Sequence, residues 1–169
     1  MLMELVEQLR KDGIAKGLCQ PWQMKLRDGS SMQRLIRLYI RGIDFCIKND
    51  YPTLEFIRQN FKGKCEPYGV YVDDDVHLVN NERLVVQGDC KGELSYTDFS
   101  ASSLYIRHNS DITVNVSGHA VLAIDMFDNS HINLVVAGTR AKVFVSIYGD
   151  ARIDAKGKVK IFYKHKKNY

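Results

Sequence analysis

The sequence of residues 89–157 is DCKGELSYTD FSASSLYIRH NSDITVNVSG HAVLAIDMFD NSHINLVVAGT RAKVFVSIYG DARIDAKG, seven successive versions of one ten-residue unit. One extra residue, near Thr139, is the only slip in the period. Positions four, six and eight of a unit are mostly apolar, as in Ile112, Val114 and Val116. The second position is always small: Cys90, Ser100, Ser110, Ala120, Ser130, Ala141 and Ala151.

Alternating apolar positions and a small corner residue are typical of a short strand followed by a bend. Stacked copies of such a unit bury their alternate residues against one another, which indicates a β-solenoid. Every second unit opens with Asp or Asn, so we expect a coil of two strands and about 20 residues. An antiparallel β meander also alternates and is the alternative, but the recurring small position favours the solenoid.

A 20-residue coil predicts which outward side chains are neighbours, because residues 20 apart then stack at roughly 4.8 Å. One outward face is polar throughout, with the columns Lys91, Asp111, His131, Arg152 and Glu93, Thr113, Asn133, Asp154. The other face is half apolar, with the columns Ala101, Val121, Lys142; Ser103, Ala123, Phe144; Tyr105, Asp125, Ser146; and Arg107, Phe127, Tyr148.

The half-apolar face is the predicted protein interface, because an outward apolar stripe needs to be covered. Its cover is either the chain's own helical segment or a second protomer or partner protein. The residues expected to form the interface are Tyr105, Val121, Phe127, Phe144 and Tyr148.

Residues 1–65 have helical periodicity and precede the repeat as a helical subdomain. We expect helices over Met1–Arg10, from a cap at Ser31 to about Lys48, and from a cap at Thr53 to Gly63. The solenoid then covers residues 66–163, its first strands joined by the acidic turn at 73–75, and residues 164–169 form a basic tail. The fold class is therefore α+β.

The formal charge of +4 is unevenly distributed. Residues 1–65 carry +5, residues 66–154 carry −7, and residues 155–169 carry +6 with no acidic residue. The lysines either protect the final strand edge, solubilise the tail, pair with the acidic segment or bind phosphate. The residues of a nucleic-acid surface would be Arg34, Arg37, Arg41, Lys160, Lys164, Lys166 and Lys167.

Catalytic and metal-binding signatures are scarce. No common nucleophile, phosphate-loop or zinc-protease motif occurs, and Cys19, Cys46, Cys65 and Cys90 lack the clustering of a zinc site, so we expect free thiols, no metal and no cofactor. Asp111 and His131 could form a dyad, but an open solenoid face lacks the pocket that catalysis needs.

The sequence contains neither a long apolar segment nor a signal-peptide pattern, so we expect a cytoplasmic, non-membrane protein.

Residues 129–134, residues 143–153 and residues 158–163, together with GIDFCI at 42–47 and NDYP at 49–52, resemble uncharacterised small proteins of gut bacteria and their phages. The resemblance implies no activity and no catalytic residues. It implies an association with mobile elements, whose small proteins often inhibit host components.

The sequence therefore predicts a non-enzymatic protein-binding or scaffold protein, with inhibition of a host defence protein as its most specific form. The partner would be another protein or a second copy of this chain. The alternative is a nucleic-acid-binding accessory protein that uses the basic helix face and the lysine tail.

Overall fold

The computed structural model describes residues 1–27 and 29–169, which form two compact units. Residues 1–68, with Tyr169, make the first unit, which is helical. Residues 69–168 make the second, a stack of β-strands.

The helical unit contains helices of four to fourteen residues. They are α1 (Leu2–Ala15), α2 (Gln20–Gln23), α3 (Met32–Arg41), α4 (Ile43–Asn49) and α5 (Leu54–Asn60), followed by a 3-10 turn at Glu66–Tyr68. Both expected caps are present, because the side chain of Ser31 accepts a hydrogen bond from the Arg34 amide and that of Thr53 from the Phe56 amide.

The prediction of one helix from Ser31 to about Lys48 is wrong, because the segment is two helices separated by Gly42. Glycine has a low helix propensity, and the backbone here leaves the helical region, with φ −104° and ψ 25°. The missing side chain also leaves room for a neighbour: a Cβ atom on Gly42 would lie 3.3 Å from the ring of Trp22.

Aromatic rings and buried aliphatic side chains hold the helical unit together. Ile36 and Ile57 are fully buried, and Tyr39 meets Phe61 edge to face at 6.1 Å between ring centroids. The buried Tyr51 hydroxyl donates a 2.6 Å hydrogen bond to the carbonyl of Leu9, 42 residues earlier. This bond fastens the segment after α4 to α1.

The second unit is the predicted solenoid, a stack of coils with two strands in each coil. Its strands are β1 (Val70–Val72), β2 (Asp75–Val79), β3 (Arg83–Gln87), β4 (Lys91–Tyr96), β5 (Ala101–Ile106), β6 (Asp111–Val116), β7 (Val121–Met126), β8 (His131–Val136), β9 (Lys142–Ile147), β10 (Arg152–Lys156) and β11 (Lys160–Tyr163). The odd-numbered strands form sheet A in the order β1-β3-β5-β7-β9-β11, and the even-numbered strands form sheet B in the order β10-β8-β6-β4-β2.

All strand pairs are parallel, so the alternative of an antiparallel meander is wrong. The register confirms the 20-residue coil: Ala101 pairs with Val121, and Asp111 pairs with His131. After the slip near Thr139 the offset becomes 21, as in the pairing of Val121 with Lys142. The predicted columns within the strands therefore occur, whereas Arg107, Phe127 and Tyr148 lie just beyond the strand ends and are buried.

The core lies between the two sheets, where the fourth, sixth and eighth positions of the units stack. Ile112, Leu122, Ile124 and Ile132 are all fully buried in it. The small second positions fit the corners; Ser110, Ala120 and Ser130, for example, have no exposed area. Each corner also contains a residue with positive φ at a spacing of ten or eleven: Gly88, Asp98, His108, Gly118, Asp128, Gly138 and Gly149.

The structure contains no helix, among the residues it describes, that is both long enough and apolar enough to cross a membrane.

Ile124→Ala is expected to lower the free energy of unfolding by about 2–5 kcal/mol, because it opens a cavity in the centre of the stacked core. Val121→Ala is the matched control in the same strand. Val121 is 40 % exposed, and its truncation is expected to cost less than about 1 kcal/mol. Urea unfolding of both variants checks this; equal losses would contradict the inward and outward assignment.

Candidate protein-binding site

The outward face of sheet A carries three of the five predicted interface residues. Val121 is exposed there, and Tyr105 and Phe144 are half-buried. The other two, Phe127 and Tyr148, lie one residue beyond the ends of β7 and β9 and are only 1 % and 6 % exposed. Their rings stack with centroids 4.8 Å apart and planes 16° apart. These two rings therefore belong to the buried part of the fold.

The C-terminal lysines contact the same aromatic residues. The Lys160 ammonium lies 5.7 Å from the centre of the Phe144 ring, and the Lys166 ammonium lies 6.0 Å from that of Tyr148. The backbone is also attached here, since the Lys164 amide donates to the Ile147 carbonyl and the Gly149 amide to the Lys166 carbonyl. The segment predicted as a basic tail is thus bound along β9 and its corner.

The C-terminal end of the solenoid is formed by β10 and β11, and we call this pair of strands the terminal edge. Each is the last strand of its sheet and pairs on one side only, β10 with β8 and β11 with β9. The core is incomplete at this level, because the inward residues Ile153 and Ile161 are half-buried rather than buried. Phe162 and Tyr163 are 46 % and 61 % exposed.

Some backbone amides and carbonyls of β10 point away from β8 at this edge. The Arg152 amide donates to the carbonyl of Ser130, the residue just before β8, and in a parallel pair alternate residues direct their polar groups to opposite sides. Ile153 and Ala155 therefore direct their amides and carbonyls away from β8. By the same rule, with Lys164 bonded to β9, Ile161 and Tyr163 direct theirs outward from β11.

A concavity opens beside the terminal edge. Its wall includes the apolar side chains of Ile147, Ala151 and Ile153, the ring of Tyr163, and the charged side chains of Arg152 and Asp154. The surrounding segment, residues 155–169, contributes six lysines and no acidic side chain. The edge therefore combines unpaired backbone, apolar surface and positive charge, which sequence reasoning described only as a lysine-protected edge.

The predicted nucleic-acid residues fall into both units. Arg34, Arg37 and Arg41 are all exposed on α3, and the guanidinium carbon of Arg37 lies 5.3 Å from the centre of the Tyr68 ring. Lys160, Lys164, Lys166 and Lys167 belong to the solenoid unit. The basic helix face and the lysine segment are thus parts of separate compact units.

The polar face of sheet B centres on His131. Its Nδ1 lies 2.8 Å from Asp111 Oδ1, as the predicted column requires, and its Nε2 lies 2.8 Å from Asp154 Oδ2 in the neighbouring column. The Ser110 and Ser130 side chains are fully buried, and the Ser110 hydroxyl donates to the Gly88 carbonyl. The imidazole therefore links two carboxylates across strands, while both serines stay in the corners.

Sequence reasoning missed the contact of His131 with Asp154, although the columns placed the two residues as diagonal neighbours. The same diagonal joins Asn115, which donates a 2.6 Å hydrogen bond to Glu93. Diagonal pairs on a sheet are within reach of longer side chains, so this signal was present in the map.

Among residues 1–27 and 29–169, no group of three or more His, Cys, Asp or Glu side chains is placed to hold a metal ion. The fold and these surfaces define a short parallel β-solenoid with a separate helical unit. No family model, no curated protein and no solved structure matches the chain.

The hydrogen bonds to Asp154 and Asp111 raise the pKa of His131 above its ordinary value of 6.5. A raised pKa in the folded state gives a stability contribution that is complete below the unfolded-state pKa and is lost as the pH rises through the folded-state pKa. We therefore expect His131→Gln to destabilise the protein more at about pH 5.5 than at about pH 9, measured by urea unfolding.

The control for this variant is His77→Gln. The Nε2 atom of His77 lies 2.9 Å from Asp75, but both side chains are largely exposed, so solvent screens the pair. This variant is expected to change stability little at either pH. An equal effect of His131→Gln at both pH values would contradict the role assigned to the charged imidazole.

Proposed function

We propose that the protein is a protein-binding module, and that its terminal edge receives an extended acidic segment of a partner protein as an additional strand. The observation that carries this proposal is the last coil, which leaves the edges of both sheets unpaired within a strongly basic segment. Strand addition to an exposed edge is a common mode of peptide recognition, in which backbone hydrogen bonds give affinity and side-chain contacts give specificity.

The charge of the edge selects among partners. Lysines at a sheet edge oppose pairing with a second copy of the same edge, because the two +6 segments would repel each other. The same lysines attract a segment rich in Asp or Glu. A different protein, or the acidic part of a second copy, therefore fits this edge better than the edge itself.

The polar and apolar parts of the edge fit a partner segment in which acidic and apolar residues alternate. Ile153 and Tyr163 would contact the apolar side chains of an added segment, and Lys158 and Lys160 would contact its carboxylates. Given the resemblance to proteins of bacteria and phages, we propose a bacterial host protein as the partner and inhibition of that protein as the consequence.

Ala155→Pro is expected to abolish capture of the partner. Proline removes the amide that Ala155 directs away from β8, while the bonds that hold β10 to β8 stay intact. The matched control is Ala155→Val, which keeps the amide and favours a strand. Affinity capture from bacterial lysate, quantified for wild type and both variants, measures the effect.

The proposal requires that wild type and Ala155→Val capture the same protein. The captured amount of that protein must fall at least about tenfold with Ala155→Pro. A captured set that is the same for all three proteins would refute strand addition. Circular dichroism of each variant establishes that the strands are retained.

A second candidate function is binding of single-stranded nucleic acid at the same edge. Phe162 and Tyr163 are exposed beside Lys160 and Lys164, and aromatic rings between cations are typical of single-strand binding surfaces. The Lys164 ammonium lies 5.6 Å from the centre of the Phe162 ring.

Lys160→Glu with Lys164→Glu separates the two functions. Nucleic-acid binding predicts a gel shift of single-stranded oligonucleotides that strengthens as salt is lowered and disappears in this double variant. Protein binding alone predicts no shift at low salt. A shift that survives in the double variant would remove the lysine edge as the nucleic-acid site.

A further inference from the structure

The helical unit contains a cavity of about 330 Å³ that none of the preceding functions uses. Its wall is predominantly apolar and includes Leu9, Leu18, Leu35, Leu38, Phe45 and Phe61. The cavity is partly open to the surface, since exposed residues such as Cys19, Arg41 and Asp44 belong to its lining. Concave and mostly apolar sites of this volume are the usual form of small-molecule binding sites.

The volume sets the size of the ligand. A cavity of roughly 150 Å³ lined by similar side chains holds benzene, so this one has room for roughly twelve non-hydrogen atoms. It is near the lower limit of small-molecule sites, which begin at about 300 Å³. The apolar wall requires that most of those atoms be carbon.

The mouth of the cavity supplies polar groups. Arg41, Asp44 and Cys19 contribute to the lining and are all exposed, while Trp22 beside them is half-buried. A guanidinium group binds a carboxylate through two parallel hydrogen bonds. Of the two charged residues in the lining, Arg41 attracts a carboxylate and Asp44 repels it, so a single carboxylate would bind at Arg41. The net charge of +5 over residues 1–65 also favours an anion.

We propose that the helical unit binds a medium-chain fatty acid of about ten carbons, with the alkyl chain of about nine carbons inside the cavity and the carboxylate at Arg41. Decanoate, with ten carbons and two oxygens, fits the estimate of roughly twelve non-hydrogen atoms. The site is independent of the terminal edge, since all its residues belong to the helical unit.

Two reporters for this proposal are already present in the chain. Trp22 is the single tryptophan, so intrinsic fluorescence excited above the tyrosine band reports on the mouth alone. Cys19 is exposed, whereas Cys46, Cys65 and Cys90 are buried, so a thiol reagent modifies Cys19 first. A ligand in the cavity should change the fluorescence of Trp22 and slow the modification of Cys19.

Titration of the full chain with decanoate, below its critical micelle concentration, is expected to give a saturable change in both signals. Leu38→Phe fills part of the cavity and is expected to weaken decanoate binding about tenfold. The matched control is Leu2→Phe, since Leu2 is 40 % exposed on α1 and does not line the cavity; its binding should equal that of wild type.

Two further variants test the proposal if the first one does not fold. Phe45→Ala enlarges the cavity and should shift the preferred chain from ten carbons to about twelve or fourteen, which decides the matter if Leu38→Phe does not fold. Arg41→Gln should weaken decanoate but leave decanol unchanged. The proposal is wrong if no chain length saturates either signal, or if Leu38→Phe and Phe45→Ala both fold and bind the same chain lengths as wild type.

Discussion

Parallel pairing between residues one coil apart is the constraint on which the rest of the solenoid depends. Each strand lies in register with the strand about 20 residues away, so each inward apolar position stacks on the same position of the next coil. The stacked residues form continuous buried columns. The register also makes every corner occur at the same place in the unit. Each corner has a second position that accepts only a small side chain and, two or three residues before it, a position that needs a residue tolerant of positive φ.

Gly118 shows how tight the corners are. Its φ is +64°, and a Cβ atom there would lie 2.9 Å from the amide nitrogen of Asp98 in the preceding coil. Asp98, His108 and Asp128 occupy the equivalent corners, and their polar side chains suit the left-handed conformation. Asp128 also accepts a hydrogen bond from the His108 amide, and this bond joins the equivalent corners of two successive coils. The extra residue near Thr139 is tolerated because it lies in a corner and not in a strand.

The solenoid was predictable because its ten-residue period is a repeating pattern in the sequence itself. Alternation gave the inward positions, and the ten-residue unit gave the register and the outward columns. The helical unit was less predictable. Its apolar pattern did not show that Gly42 ends α3, because buried apolar residues continue across Gly42 into α4. Apolar periodicity also could not show that the helices leave a cavity between them, since the cavity depends on how the helices pack.

The surroundings of the predicted site residues could not be derived from the sequence. Phe127 and Tyr148 were expected on a binding face, but the two rings are stacked and almost completely buried. Lys160 and Lys166 belong to the alternative nucleic-acid surface, and each ammonium lies near an aromatic ring of β9 or its corner. These contacts depend on the path of the C-terminal segment, which local patterns do not encode. What a periodic fold does determine is that its unpaired backbone is concentrated at the ends of the stack.

Amide hydrogen exchange, followed residue by residue by nuclear magnetic resonance, tests the accessible terminal edge most directly. In the free protein we expect the amides of Ile153, Ala155 and Ile161 to exchange quickly, while those of Leu122 and Ile124 in the centre of the stack exchange slowly. Slow exchange at Ile153 and Ala155 that does not change on dilution would mean that the edge is already covered within a single chain, which would contradict the account.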